Sequence, residues 1–203
     1  MKKLTSTIIV LLWSFGAIAQ TRTYAVKVIG LKVGEIHVTK SQKLDSTIYN
    51  LTSKVDVNFL VYRLKVDYRV KSVYLNDRFE RSEVKVVSNR GNYFTKTERV
   101  GNGYRVFSHQ LEKKKINKTI ELPIESTFAH LFFNEPGKLN NIYAEFYADF
   151  IELKDLKPNA YLGELDKNFD EYHFENGLLV KMVKKNPITD MVIEYLPPNK
   201  KSR

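Results

Sequence analysis

The chain contains no cysteine. That excludes disulfide bonds, a thiol nucleophile, thiolate metal sites and the cysteine of a lipoprotein anchor. Stability has to come from a buried core. Histidine is scarce as well, with four in 203 residues: His37, His109, His130 and His173. Neither G-x-S-x-G, nor a Walker-type phosphate loop, nor H-E-x-x-H occurs, so the usual signatures of α/β hydrolases, P-loop enzymes and zinc proteases are missing. No Gly/Ser linker, fixed-period repeat or low-complexity block divides the chain.

Long apolar runs are also missing; Ile8–Trp13, near the N-terminus, is six residues. Lys2 and Lys3 precede it and Ala17-Ile18-Ala19 follows, which is the pattern of a secretory leader and too short for a comfortable membrane span. The expectation is a signal peptide over residues 1–19, cleaved near Ala19, with a periplasmic or secreted product forming a single domain over 20–203. The formal charge is +10; losing Lys2 and Lys3 with the leader leaves +8. Such an excess suits anionic neighbours, an envelope lipid or glycan surface, although the basic residues are spread along the chain as ordinary solubilising charge is.

What the sequence has in abundance is alternation. From Thr47 to Tyr74 the apolar residues take odd positions first (Tyr49, Leu51, Val55, Val57, Phe59, Val61). They then take even ones (Tyr62, Leu64, Val66, Tyr68, Val70, Tyr74). Lys54, Asp56, Arg63, Lys65, Asp67 and Arg69 occupy the complementary places. Period two at this length means long strands with one dry face and one wet face. The change of phase at Val61-Tyr62 requires a bulge or a tight turn.

Similar runs recur at roughly ten-residue spacing, separated by Gly30, Asn76-Asp77, Asn89-Arg90-Gly91, Gly101-Asn102-Gly103, Asn176-Gly177 and Asn186-Pro187. The fold class is therefore mainly β: a single curved antiparallel sheet or open β-barrel. One partly helical insertion is expected over 123–165. Ser126–Phe133 reads as a short helix with a capping residue, and Ile142–Leu153 fits a helix as well as an irregular strand.

Candidate chemistry is thin. Glu171, His173 and Glu175 alternate on one strand face and could hold a divalent metal or move a proton, but alternation also describes an ordinary polar outer face. Asp149, Glu152, Asp155 and Asp166 could supply an acid/base pair or be surface charge. Tyr62, Tyr68 and Tyr74 lie opposite the basic residues, so they do not make a nucleic-acid stacking platform. An apolar concave face under a Phe-rich helix instead suits a greasy ligand or a filled core. From the middle strands, the residues expected to line it are Tyr49, Leu51, Val57 and Phe59, with Leu64, Val66, Tyr68 and Val70. Phe128, Leu131 and Phe132 are expected to line it from the helix.

Tyr24-x-Val26-x-Val28 followed by Leu31-x-Val33-Gly34-Glu35, with Phe133-Asn134-Glu135-Pro136, Tyr143–Phe150 and Glu171–Leu178, resembles an uncharacterised secreted family of Bacteroidota, the domain of unknown function 6134. More distantly it resembles the domain of unknown function 3108. The resemblance implies an exported, curved antiparallel β protein and carries over no catalytic residue. The resulting expectation is a non-enzymatic cell-envelope protein without a cofactor or a metal, holding a lipid-like or other hydrophobic ligand in a curved sheet. Two alternatives stay open: a hydrolase or metal-dependent enzyme using Glu171/His173/Glu175, and a scaffold binding anionic envelope polymers.

Overall fold

The alternation from Thr47 to Tyr74 becomes a hairpin. Strand β3 (Ser46–Phe59) pairs antiparallel with β4 (Tyr62–Leu75) along its whole length, from Ser46↔Leu75 to Phe59↔Tyr62. The change of phase therefore falls between two paired strands and not at a bulge within one of them. This computed structural model describes residues 18–59, 62–110, 114–185 and 189–198. The expected leader core, Val61, the expected Asn186-Pro187 turn and the basic tail from 199 lie outside them, as does the side chain of Phe59.

Around the hairpin run β1 (Ile18–Val28), β2 (Leu31–Lys43), β5 (Arg78–Ser88), β6 (Gly91–Val100), β7 (Gly103–Gln110) and β8 (Lys114–Ile120). A connection carrying helix α1 (Phe128–Leu131) leads to the second run. It comprises β9 (Asn141–Ala144), β10 (Asp149–Lys157), β11 (Ala160–Leu165), β12 (Asn168–Glu175), β13 (Leu178–Lys184) and β14 (Met191–Leu196). All fourteen strands form one antiparallel sheet, ordered from β8 down to β1 and then from β14 down to β9. The first and last strands are thus neighbours at its centre, from Thr23↔Leu196 to Val28↔Met191. The two edges, β8 and β9, are not paired to each other, so the sheet is curved but not a closed barrel. Strand β1 starts two residues before the expected mature start at Gln20; a cut after Ala19 leaves its ladder with β2 intact from Gln20↔Lys40 onward.

The insertion expected over 123–165 is helical only at Phe128–Leu131. From Asn141 onward it is built into the sheet, and the ambiguous stretch 142–153 is β9, a turn and β10. Helical spacing of Tyr143, Phe146 and Phe150 misled because the turn between β9 and β10 breaks the strand period there. That turn tucks back against strands far from it in the sheet order. Thr97 Oγ1 and Tyr143 Oη are 2.8 Å apart, Thr95 Oγ1 donates to the Phe146 carbonyl at 3.1 Å, and Lys118 pairs with Asp149 at 3.4 Å. Small hydroxyl residues make room for it: Ser72, Ser82 and Thr97 are successive cross-strand neighbours on β4, β5 and β6, all buried.

The first separator, Gly30, and the nearby Gly34 mark a turn and a bulge. Gly30 stands at φ +74° in the β1–β2 turn, and the register slips between Val26↔Gly34 and Lys27↔Lys32, leaving Val33 as the extra residue of a bulge. At Gly34 a Cβ would lie 2.3 Å from the Lys54 carbonyl oxygen, a backbone atom with nowhere to move. Gly34→Ala is therefore expected to cost about 2 kcal/mol or more and to lower the thermal midpoint by roughly 4–8 °C. Thermal unfolding followed by circular dichroism checks this; an unchanged midpoint would refute the tight β2–β3 approach.

Candidate functional site

Curving brings β1–β4 and β10–β14 face to face, and between them lies an apolar cavity of about 710 Å³. Val26, Val28, Val33, Val55, Val57 and Leu64 line one wall; Ile151, Gly163, Leu165 and Met191 line the other. These positions follow from the pleat: Val55 and Val57 share a face of β3, and Leu64 is registered opposite Val57. Branched aliphatic side chains dominate the walls and do not reach across. Gly163 contributes no side chain at all. A Cβ there would sit 2.6 Å from the Tyr172 ring and 2.8 Å from Ile151 Cγ2, so the glycine lets the Tyr172 ring pack behind the wall without closing the space.

One stretch of the wall is polar. Asp170 and Lys184 are cross-strand partners joined by an ion pair, and Asn168, Lys185 and Thr189 lie nearby on the lining. Beneath them the Tyr172 hydroxyl is buried without a hydrogen-bond partner. Burial first, and then the Asp170 charge, push its pKa well above the ordinary tyrosine value. The cavity therefore offers a long greasy surface and one polar patch, the composition of sites that hold amphiphilic small molecules.

The other end of the curved sheet is closed. The Tyr24 hydroxyl and Arg22 both donate to the Phe132 carbonyl just after α1. Tyr49 meets His130 and Phe133, with ring centroids 5.1 and 5.7 Å away. Leu131 and Phe132 are fully buried, each worth roughly 1.5–3 kcal/mol as apolar burial. Thr127 occupies the N-cap position but its hydroxyl caps nothing. The work falls to Glu145, in the turn after β9: it accepts from Phe128 N–H at 3.0 Å, Ala129 N–H at 3.3 Å and the Ser72 hydroxyl at 2.8 Å. Burial raises its pKa against the lowering effect of those donors.

Of the residues expected to line a ligand space, Val57 and Leu64 do so. Val66 borders a separate, shallower groove with Lys54 and Val87. Tyr49, Leu51 and Val70 are buried in the core cluster, and Tyr68 packs on Phe146. Phe128, Leu131 and Phe132 belong to the closed end, where they fill space instead of enclosing it. Phe59 falls outside the described side chains. The wall from β1, β10, β11 and β14 has no sequence signal beyond alternation, because it is the curvature that decides which inner residues lack a partner.

The polar candidates separate. His173 Nε2 lies 3.2 Å from Glu171 Oε2, and Glu171 also pairs with Lys185 at 3.3 Å, while Glu175 is exposed. Among the described residues no group of three or more His, Asp or Glu is placed to hold a metal. Asp149, Glu152, Asp155 and Asp166 are all exposed. The carboxylate that sequence reasoning passed over is Glu145, and its signal was position: a lone acid inside the aromatic run Tyr143–Tyr147.

Two predictions follow from the closed end. Glu145→Ala strands two helix N–H groups and the Ser72 hydroxyl, so it should destabilise by about 2–4 kcal/mol, and Glu145→Gln by clearly less; denaturant titration measures both. His130 has its pKa lowered to about 4, chiefly by burial and then by Lys40. Its depressed folded-state value means that the unfolded chain binds the proton more tightly, so stability falls as pH drops from 6.5 towards 4. The contribution is at most about 3 kcal/mol. His130→Phe should flatten that acid-side slope relative to wild type, and an unaltered slope would show that His130 is not the titrating group.

A family model described as Domain of unknown function matches residues 24–196, nearly the whole of the described chain. No curated protein and no solved structure matches. With the same sheet running through the matched span from β1 to β14, the chain belongs to the Domain of unknown function (DUF6134) family.

Proposed function

We propose that this is an exported, non-enzymatic cell-envelope protein, similar to secreted proteins of Bacteroidota, that holds a lipid-like ligand within its curved sheet. The observation that carries this reading is the cavity of about 710 Å³, walled by aliphatic side chains and carrying a single polar patch at Asp170 and Lys184. Its volume falls within the range of small-molecule sites. An apolar chain would lie against Val26, Val57, Leu64 and Ile151, with its polar head beside the Asp170–Lys184 pair. The leader pattern at residues 1–19 and the lack of cysteine support export without disulfides.

Organic extraction of protein purified from its native cell, followed by mass spectrometry, should recover an amphiphile in near-stoichiometric amount. A fluorescent apolar dye should bind the delipidated protein and be displaced by that extract. Val57→Phe places a ring into the cavity and is expected to weaken dye binding by about tenfold or more while the fold persists. Empty extracts together with no dye binding would end this reading.

A further inference from the structure

The cavity opens beside the β1–β2 turn, and that turn is built against its own backbone preference. Val28 pairs with Leu31, leaving Ile29 and Gly30 as a two-residue connection. Both are at positive φ, +51° and +74°. Such hairpin turns favour Asn-Gly or Asp-Gly, because positive φ crowds a side chain, and a β-branched one most of all. Ile29 gains no burial in exchange: it is 70 % exposed, and Leu31 beside it is 60 % exposed. Yet Ile29 also borders the cavity, as does the 46 % exposed Tyr147 across the opening.

Exposure alone distinguishes nothing. Leu44, in the β2–β3 turn at the opposite end of the same strands, is 76 % exposed and also has positive φ, +50°. It lies away from the cavity lining. What is particular to Ile29 is the conjunction of strain, exposure and position on the lip of an apolar cavity.

We infer that the Ile29–Leu31 lip docks on the surface of an anionic lipid bilayer, placing the cavity mouth against the acyl region. An apolar lip continuous with an apolar interior lets a water-insoluble chain pass between the two without crossing water. Without Lys2 and Lys3 of the leader the chain keeps a net charge of +8, which complements an anionic headgroup layer. Lys27 and Lys32 beside the lip are ion-paired with Glu194 and Glu35, so the attraction comes from the net charge of the whole molecule and not from these two. Small apolar insertions of this kind hold proteins at the interface reversibly. The inference uses the ligand reading only to explain why the lip borders a cavity; docking is measured without any ligand, so the two can fail separately.

The test compares wild type, Ile29→Asn and Leu44→Asn. Each protein is expressed with its own leader and purified as the cell processes it. Co-sedimentation uses vesicles of mixed phosphatidylethanolamine and phosphatidylglycerol. Asparagine suits positive φ, so Ile29→Asn should melt no lower than wild type. It should nevertheless bind vesicles about tenfold more weakly, because the apolar tip is gone, while Leu44→Asn should bind as wild type does. Equal losses in both variants, no loss in Ile29→Asn, or no wild-type binding would each overturn the proposal. So would a lowered melting temperature for Ile29→Asn, which would make Ile29 a packing residue.

Discussion

The pairing of β1 with β14 is the constraint on which the architecture depends. Each of the two runs, β1–β8 and β9–β14, is a simple meander of neighbours in sequence. Neither can form the curved interior alone, since one supplies the wall with Val57 and Leu64 and the other the wall with Ile151 and Gly163. Six residue pairs, Thr23↔Leu196 to Val28↔Met191, join them. Contacts this far apart in sequence are costly in loop entropy until they close. The central seam is therefore expected to form late and to make the two halves one cooperative unit.

Once the sheet is continuous, its two ends are treated differently. At one end α1 and the aromatic groups of Tyr24, Tyr49, Tyr74 and His130 are packed together, with the buried carboxylate of Glu145 satisfying the helix N–H groups. The buried carboxyl group is tolerated because three donors face it. At the other end the strands carry valine, leucine and glycine, which fall short of the opposite wall. Filling and vacancy thus arise from side-chain size along strands that share one alternating pattern. The polarity of the molecule, plugged at one end and open at the other, is written in volumes and not in hydrophobicity.

Much of the fold was legible in the sequence because period-two alternation and turn residues are local signals. The β3–β4 hairpin, the Gly101-Asn102-Gly103 turn and the Asn176-Gly177 turn are examples. The strand identity of 142–153 was harder to read, since three aromatics across a turn imitate a helical stripe. The cavity-lining residues were legible only at Val57 and Leu64, where the inner face of the hairpin reaches the open end. Tyr49 and Leu51 share that face with Val57, but the plug covers Tyr49 with His130 and Phe133, and a covering element so distant in the chain leaves no mark on the strand beneath it. Glu145 was obscured for the same reason: its partners come from two distant parts of the chain, Ser72 on β4 and Phe128-Ala129 at the start of α1.

The antiparallel seam also fixes where the chain enters and leaves the fold. Strand β1 begins, and β14 finishes, at the end sealed by α1, with Thr23 opposite Leu196. Both exits therefore point away from the open mouth. A fluorescent protein or an immobilising tag fused at either side would stand behind the molecule, and a short linker between the exits would allow the chain to be reopened elsewhere, for instance at Gly101-Asn102, as a circular permutant.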